Sequence, residues 1–127
     1  MTAHQTTILC IDDDERALLL RTKVLERSGY RVLCATNPDE AFRLLDSEPI
    51  AAVILDYFLG TTTGSAVASE FHRRGARIPV LMLSSSVYLP EDARGLVDAF
   101  CTKIDGPVVL LDSLKRLLDR PAATRNS

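Results

Sequence analysis

Two acidic clusters each follow a short apolar run in this sequence. Residues 7–11 precede three consecutive aspartates at 12–14, and residues 51–55 precede Asp56. Short apolar runs of this kind are typical of buried parallel strands, whose carboxyl ends meet at one edge of a sheet. Carboxylates crowded at that edge repel one another unless a cation lies between them, and Mg²⁺ and lysine are the natural candidates. Both cations indicate phosphoryl chemistry.

Composition narrows the class of protein. The chain has 127 residues, of which 46% are hydrophobic and 25% are charged, and this suits one globular domain. The net charge of −2 offers no general attraction to nucleic acid. No apolar stretch approaches the ~20 residues that a membrane span needs, and the amino terminus lacks a signal-peptide core. We therefore expect a cytoplasmic protein that contacts neither nucleic acid nor a membrane, and we interpret Cys10, Cys34 and Cys101 as buried small hydrophobic residues.

Strand-like and helix-like segments alternate along the chain. Gly29 and Gly75 each follow a helical pattern as a carboxyl-terminal cap, and Asn37 precedes a first-turn proline. Such alternation predicts a doubly wound parallel sheet covered by helices on both faces. The predicted strands are residues 6–11, 31–35, 51–55, 79–84 and 99–103, and the predicted helices are 15–28, 38–47, 65–74 and 107–118. On the first helix we expect one stripe to contain Ala17, Leu20, Val24 and Arg27, with Leu18 and Leu25 beside it. On the last helix the expected apolar stripe is Val108, Leu111, Leu114 and Leu118.

Reactive side chains fall at the ends of these predicted strands. Asp12, Asp56, Ser84 and Lys103 lie at or just beyond strand ends, and Asp13 is one residue further on. Parallel sheets bind their ligands at the carboxyl ends of their strands. The sequence therefore predicts carboxylates, a hydroxyl and an ammonium group at one edge of the sheet.

The residues around these positions resemble the receiver domain of two-component response regulators. The resemblance covers nearly the whole chain, and five motifs occur in the family's order and spacing. It implies a flavodoxin-like (βα)5 fold with strand order 2-1-3-4-5 in residues 1–120, followed by a disordered tail in residues 121–127. The matching segments are residues 8–14, residues 56–60 with Gly64 eight residues after Asp56, residues 81–86 and residues 100–103.

The resemblance also implies a metal site and an acceptor. Asp56 would be the phosphoacceptor that attacks a histidine-bound phosphoryl group. Mg²⁺ would be held by Asp56, by Asp13 directly, by Asp12 through water and by the main-chain carbonyl of Phe58. We expect Asp14 to cap the first helix rather than to bind metal.

Three further residues have roles by resemblance. Lys103 would pair with Asp56 and then with the phosphoryl oxygens, and Ser84 would donate a hydrogen bond to the phosphoryl group. Phe100 occupies the position of a switch residue whose side chain changes rotamer. The protein would catalyse only its own phosphoryl transfer and dephosphorylation, so we do not expect a separate enzyme activity.

The sequence departs from the family pattern near the site. Gly60 and Ile104 each replace a proline, and the Lys103–Ile104 bond is expected to be trans because a non-proline cis bond costs about 3 kcal/mol. Phe100 lacks the hydroxyl of a tyrosine. Pro90 and Gly95 leave room only for a short or irregular fourth helix.

The implied partners are a sensor histidine kinase or a histidine phosphotransfer protein, and an output protein that the sequence does not identify. We expect output by non-covalent contact, since no effector domain follows the last helix, and the family also allows weak homodimers. Two alternatives stay open. The chain could be a degenerate receiver that binds partners without phosphorylation. It could also be a metal-dependent phosphatase of the haloacid dehalogenase type, although Arg16 stands where that family has Thr or Val.

Overall fold

The computed structural model describes residues 5–120 of the chain. Within that range five strands alternate with four α-helices, and none of these helices is long and apolar enough to cross a membrane. The predicted disordered tail at 121–127 lies outside the described residues. The strands are β1 (Thr7–Ile11), β2 (Arg31–Ala35), β3 (Ala52–Asp56), β4 (Val80–Ser84) and β5 (Ala99–Thr102), and the helices are α1 (Glu15–Arg27), α2 (Pro38–Ser47), α3 (Gly64–Arg73) and α4 (Gly106–Leu118).

Polar side chains cap three helices at their amino ends. Asp14 accepts hydrogen bonds from the backbone N–H of Arg16 and Ala17, so its predicted role as a helix cap is confirmed. Asn37 and Thr63 cap α2 and α3 in the same way. These caps fix where each helix begins after the preceding strand, and thereby which residues remain in the loops at the sheet edge.

The sheet is parallel, with strand order β2-β1-β3-β4-β5, which confirms the predicted flavodoxin-like fold. Alternate residues of the central strands enter two separate cores, as the twofold period of a strand requires. Leu9 and Leu55 belong to the core under α2 and α3, whereas Ile8 and Ile54 belong to the core under α1 and α4. Both faces of the sheet are therefore covered by helices, and the carboxyl ends of its strands carry the polar residues Asp12, Asp56 and Ser84.

The connection between β4 and β5 contains little regular structure. A single 3-10 turn, Glu91–Ala93, occupies the place where a fourth helix was expected to be short or irregular. Ala93 is fully buried and anchors this turn to the core beneath α3. The prediction for this segment is confirmed.

The expected apolar stripes of two helices were partly wrong. On α1 the buried residues are Leu18 and Leu25, whereas Leu20 is 66% exposed. On α4 the buried residues are Leu110, Leu114 and Leu117, and Val108 is exposed. On α1 the stripe of Ala17, Leu20 and Val24 lines a cleft of about 400 Å³ between α1 and α4. On α4 the face that packs against the sheet is the neighbouring one, so Val108 is left outside it.

Cys34 is another correction. Cys10 and Cys101 are buried as expected, and burial raises the pKa of the Cys10 thiol to about 12. Cys34 is exposed because β2 is an edge strand, and its Sγ lies 3.3 Å from Thr22 Oγ1 on α1.

Candidate functional site

Three carboxylates converge at the carboxyl ends of β1 and β3. Asp12 directly follows β1, Asp13 is the next residue, and Asp56 is the last residue of β3. Because β1 and β3 are neighbours, an oxygen from each carboxylate lies within 4.8 Å of the others. Asp12 and Asp56 are only 1% and 4% exposed, whereas Asp13 is exposed. The predicted acidic cluster is therefore present, with one accessible and two buried members.

Lys103 lies between the two buried carboxylates. Its Nζ is 3.0 Å from Asp56 Oδ1 and 3.7 Å from Asp12 Oδ2. Lys103 begins a 3-10 turn, Lys103–Asp105, in which Thr102 Oγ1 accepts a hydrogen bond from the Ile104 N–H. The Lys103–Ile104 bond is trans, as expected. The ammonium therefore reaches Asp56 with isoleucine in place of proline.

A second cation, which the sequence reasoning missed, comes from α1. Arg21 Nη1 lies 3.3 Å from Asp12 Oδ2, and only 9% of the arginine side chain is exposed. Asp12 Oδ1 accepts a hydrogen bond from the Asp14 N–H at 2.9 Å. Arg21 is four residues after Ala17 and three before Val24, so a cation on an otherwise apolar stripe was the signal in the sequence.

Burial and the surrounding charges have opposing effects on the pKa of the Asp56 carboxyl. Burial raises the pKa of Asp56 above its ordinary value, the hydrogen bond from Lys103 opposes this rise, and the charge of Asp12 adds to it. The charge of Arg21 also opposes the rise. The ionised form of Asp56 thus depends on nearby cations, and a further cation bound among the carboxylates would stabilise it.

The loop after Asp56 folds back on itself beside the carboxylates. A bridge pairs Phe58 with Thr63, and its backbone hydrogen bonds run from Leu59 N–H to Thr62 O and from Gly64 N–H to Tyr57 O. Neither bond uses the Phe58 carbonyl. The Phe58 side chain is 61% exposed, and its ring packs edge-on against Tyr57 with centroids 5.0 Å apart.

Gly60 is required by the shape of this loop. Its φ is +78°, which proline cannot adopt, and a Cβ atom on it would lie 3.1 Å from Asp13 Oδ2. A proline at this position would therefore require a different local backbone. The glycine leaves open space beside the accessible carboxylate.

Ser84 and Phe100 lie on the far strands. Ser84 ends β4, is 1% exposed, and its Oγ accepts a hydrogen bond from the Ser86 N–H. Phe100 pairs with Met82 in the sheet and is half-buried against the core under α3. Ser84 therefore shares the sheet edge of the carboxylates, whereas Phe100 lies within β5.

A hydrogen-bond network that the sequence did not reveal connects the loop to the 3-10 turn. Asp92 accepts hydrogen bonds from Tyr57 Oη at 3.2 Å and from Ser65 Oγ at 2.9 Å. Partial burial and this carboxylate raise the pKa of Tyr57. The residue next to Asp56 is thus tied to the connection between β4 and β5.

Residues 8–102 match the family model of the response regulator receiver domain. The chain belongs to this family. The receiver domain is 30% identical over 116 residues to the alkaline phosphatase synthesis transcriptional regulatory protein PhoP of Bacillus subtilis, covering 89% of this chain and 48% of PhoP. It is 29% identical to the transcriptional regulatory protein GltR of Pseudomonas aeruginosa, covering 98% and 54%. The chain thus spans about half the length of these curated relatives.

Solved structures agree with this assignment. A CheY-like response regulator receiver domain protein from Methanospirillum hungatei is similar, with a TM-score of 0.82 and 25% identity over 91% of this chain and 95% of that one. The response regulator TrrA of Thermotoga maritima, solved with Mg²⁺-BeF, has a TM-score of 0.81 and 23% identity, covering 89% and 99%. The family assignment favours a receiver domain over the phosphatase considered from the sequence.

Proposed function

We propose that this receiver domain accepts a phosphoryl group on Asp56 in a Mg²⁺-dependent transfer from a phosphohistidine. The observation that carries the proposal is the position of the Asp56 carboxylate, which is buried, paired with Lys103 at 3.0 Å and clustered with Asp12 and Asp13. Phosphoryl transfer depends on positioning and on neutralising charge, and this cluster offers both.

The donor set fits a magnesium ion. Three carboxylates supply the hard oxygen ligands that Mg²⁺ prefers, and the Phe58 carbonyl is not used by the bridge of its own loop. Asp13 is accessible, so it is the direct ligand together with Asp56. Asp12 has both oxygens engaged by protein donors, which suits contact through water. When bound, the ion would neutralise negative charge on the transferred group.

The transfer itself is a displacement at phosphorus. A carboxylate oxygen of Asp56 forms the new O–P bond as the N–P bond to histidine breaks, and the imidazole leaves with the bonding electron pair and takes up a proton. Lys103 moves from the free carboxylate to the phosphoryl oxygens, and the Ser84 hydroxyl donates a hydrogen bond to them. Phe100 would then respond to the altered position of Ser84 as the switch residue.

The phosphoryl donor is a sensor histidine kinase or a histidine phosphotransfer protein. Exposed apolar side chains beside the site favour a protein donor. Leu20, Ile104 and Val108 are 66, 73 and 77% exposed, and they lie on α1, the turn after Lys103 and the start of α4. Leu20 and Lys103 both line the cleft between α1 and α4. A helix of the donor can cover this patch while it presents its histidine to Asp56.

Incubation with acetyl phosphate and Mg²⁺, followed by intact-mass spectrometry, tests the proposal. We expect the native protein to gain one phosphoryl group with Mg²⁺ and none with EDTA. Asp56→Asn should gain none, whereas Asp46→Asn, which changes an exposed aspartate on α2, should behave as native.

Other outcomes identify the alternatives. No modification of the native protein under any condition would indicate a degenerate receiver that binds partners without phosphorylation. Continuous release of inorganic phosphate from a simple phosphate ester would indicate a phosphatase.

A further inference from the structure

Arg21 enters the acidic site from the middle of α1, although charged side chains on that helix stripe would ordinarily point to solvent. Its guanidinium is 3.3 Å from Asp12 Oδ2, and the two side chains are 9% and 1% exposed. The same oxygen lies 3.7 Å from Lys103 Nζ. The guanidinium therefore adds a positive charge to the site.

The charge count shows what this arginine changes. Asp12, Asp13, Asp56 and Lys103 together carry a formal charge of −2, because three carboxylates face one ammonium. Arg21 reduces the total to −1. A divalent cation that enters the site is therefore attracted by a smaller net charge, and it is repelled by a guanidinium bound to one of the carboxylates.

We propose that Arg21 is a positioning residue that acts as a resident counter-ion: it holds Asp12 in place and weakens Mg²⁺ binding to the resting site. This inference rests on the metal site of the proposed function. Asp12 Oδ1 is held by the Asp14 N–H and Oδ2 by Arg21, so the side chain is fixed before any metal arrives. The arginine stabilises the buried carboxylate without metal, and the consequence is a lower affinity for the ion.

Mg²⁺ titration of the full chain without a phosphodonor tests this role. Arg21→Gln removes the charge but keeps a hydrogen-bond donor for Asp12, and Arg21→Lys keeps the charge. Arg27→Gln is the matched control, because Arg27 is exposed in the last turn of the same helix. Isothermal titration calorimetry at constant ionic strength gives the dissociation constant, and circular dichroism checks that each variant is folded.

We expect Arg21→Gln to bind Mg²⁺ about tenfold more tightly than native, as the loss of one nearby positive charge implies. Arg21→Lys and Arg27→Gln should stay within roughly twofold of native, since both keep the charge at the site. Loss of structure would weaken metal binding, so tighter binding cannot come from damage to the fold. If Arg21→Gln does not fold, Arg21→Met takes its place in the titration and should likewise bind Mg²⁺ more tightly than the native protein.

Equal or weaker Mg²⁺ binding in Arg21→Gln would overturn the counter-ion role while leaving the proposed metal site intact. An equal increase in Mg²⁺ affinity in Arg27→Gln would also overturn it, because the increase would then come from the overall charge of the protein. Absence of Mg²⁺ binding in every variant would overturn the metal site itself and this inference with it.

Discussion

Lys103 Nζ lies 3.0 Å from Asp56 Oδ1, although Asp56 ends β3 and Lys103 follows β5, and β4 lies between these two strands in the sheet. The lysine side chain spans the end of β4, where Ser84 is the last residue. A phosphoryl group on Asp56 would therefore meet an ammonium and a hydroxyl that two different strands supply. The carboxyl ends of β3, β4 and β5 therefore place a carboxylate, a hydroxyl and an ammonium group beside one another.

Metal binding should stabilise the fold through Asp13. Mg²⁺ at ten times its dissociation constant adds about 1.4 kcal/mol, or roughly 4 °C in melting temperature for a domain of this size. We expect this shift in the native protein and almost none in Asp13→Ala. Asp14→Ser keeps a helix cap at the adjacent position and should show the native shift. An equal shift in Asp13→Ala would remove Asp13 from the metal site.

Neutralising Asp56 should stabilise the metal-free protein. Its pKa in the folded state is raised above the ordinary value of 3.8, first by burial, so the ionised form costs stability. That cost is absent when the carboxyl is protonated and appears as pH rises through the raised pKa. Asp56→Asn should therefore be more stable than native at pH 7, with no advantage below pH 3.8.

Urea unfolding at several pH values measures this difference. Asp46→Asn, at an exposed position on α2, is the control and should show no such gain with rising pH. If the native protein is more stable than Asp56→Asn at neutral pH, the attraction of Lys103 and Arg21 for the ionised carboxylate exceeds the cost of burying it.

Phe58 should slow loss of the phosphoryl group. Its exposed ring lies two residues after Asp56, where it can neither orient an attacking water nor let it approach freely. Phe58→Asn should hydrolyse roughly tenfold faster or more, since a group that hydrogen-bonds water positions the nucleophile. Phe58→Leu is the apolar control and should decay at the native rate. The decay of phosphorylated protein, followed by intact mass, checks this, and an unchanged rate in Phe58→Asn would show that the ring is not the barrier.

Gly64 should tolerate no side chain. A Cβ atom there would lie 2.5 Å from the Asp56 carbonyl oxygen and 3.1 Å from Met82 Cε, so the backbone of Asp56 would have to move. We expect Gly64→Ala to cost about 3 kcal/mol of unfolding free energy. Gly75→Ala meets no atom within 4 Å and should cost only about 1 kcal/mol, from its φ of +77°. Urea denaturation compares the two, and equal costs would show that the loop absorbs the clash.

The strands could be predicted from the sequence because apolar runs, caps and glycines agreed with one another, and their order came from the resemblance to receiver domains. Helix faces were harder. Leu20 and Val108 fit an apolar stripe by spacing, but Leu20 lines the cleft between α1 and α4, and Val108 is 77% exposed. Periodicity alone cannot tell which of two adjacent stripes contacts the sheet, because that depends on how the helix crosses the strands.

The acidic cluster and Lys103 were predictable because strand ends place them together. The contacts of Arg21 and Asp92 were not, since each depends on how a side chain from a distant element reaches its partner; for Arg21 the sequence showed only that a cation lies on a mostly apolar stripe. The positive φ of Gly60 could likewise not be predicted from the sequence. The local sequence predicts well where a residue lies along a strand or helix. Contacts that a long side chain makes with another element can be identified only in the packed structure.

The most direct measurement is the location of the phosphoryl group. The protein is treated with acetyl phosphate and Mg²⁺, the acyl phosphate is reduced with borohydride, and the peptides are sequenced by mass spectrometry. We predict that reduction converts Asp56 alone, and that EDTA abolishes the conversion. A modified residue other than Asp56, or an unmodified Asp56 under conditions in which Mg²⁺ binds, would contradict the account.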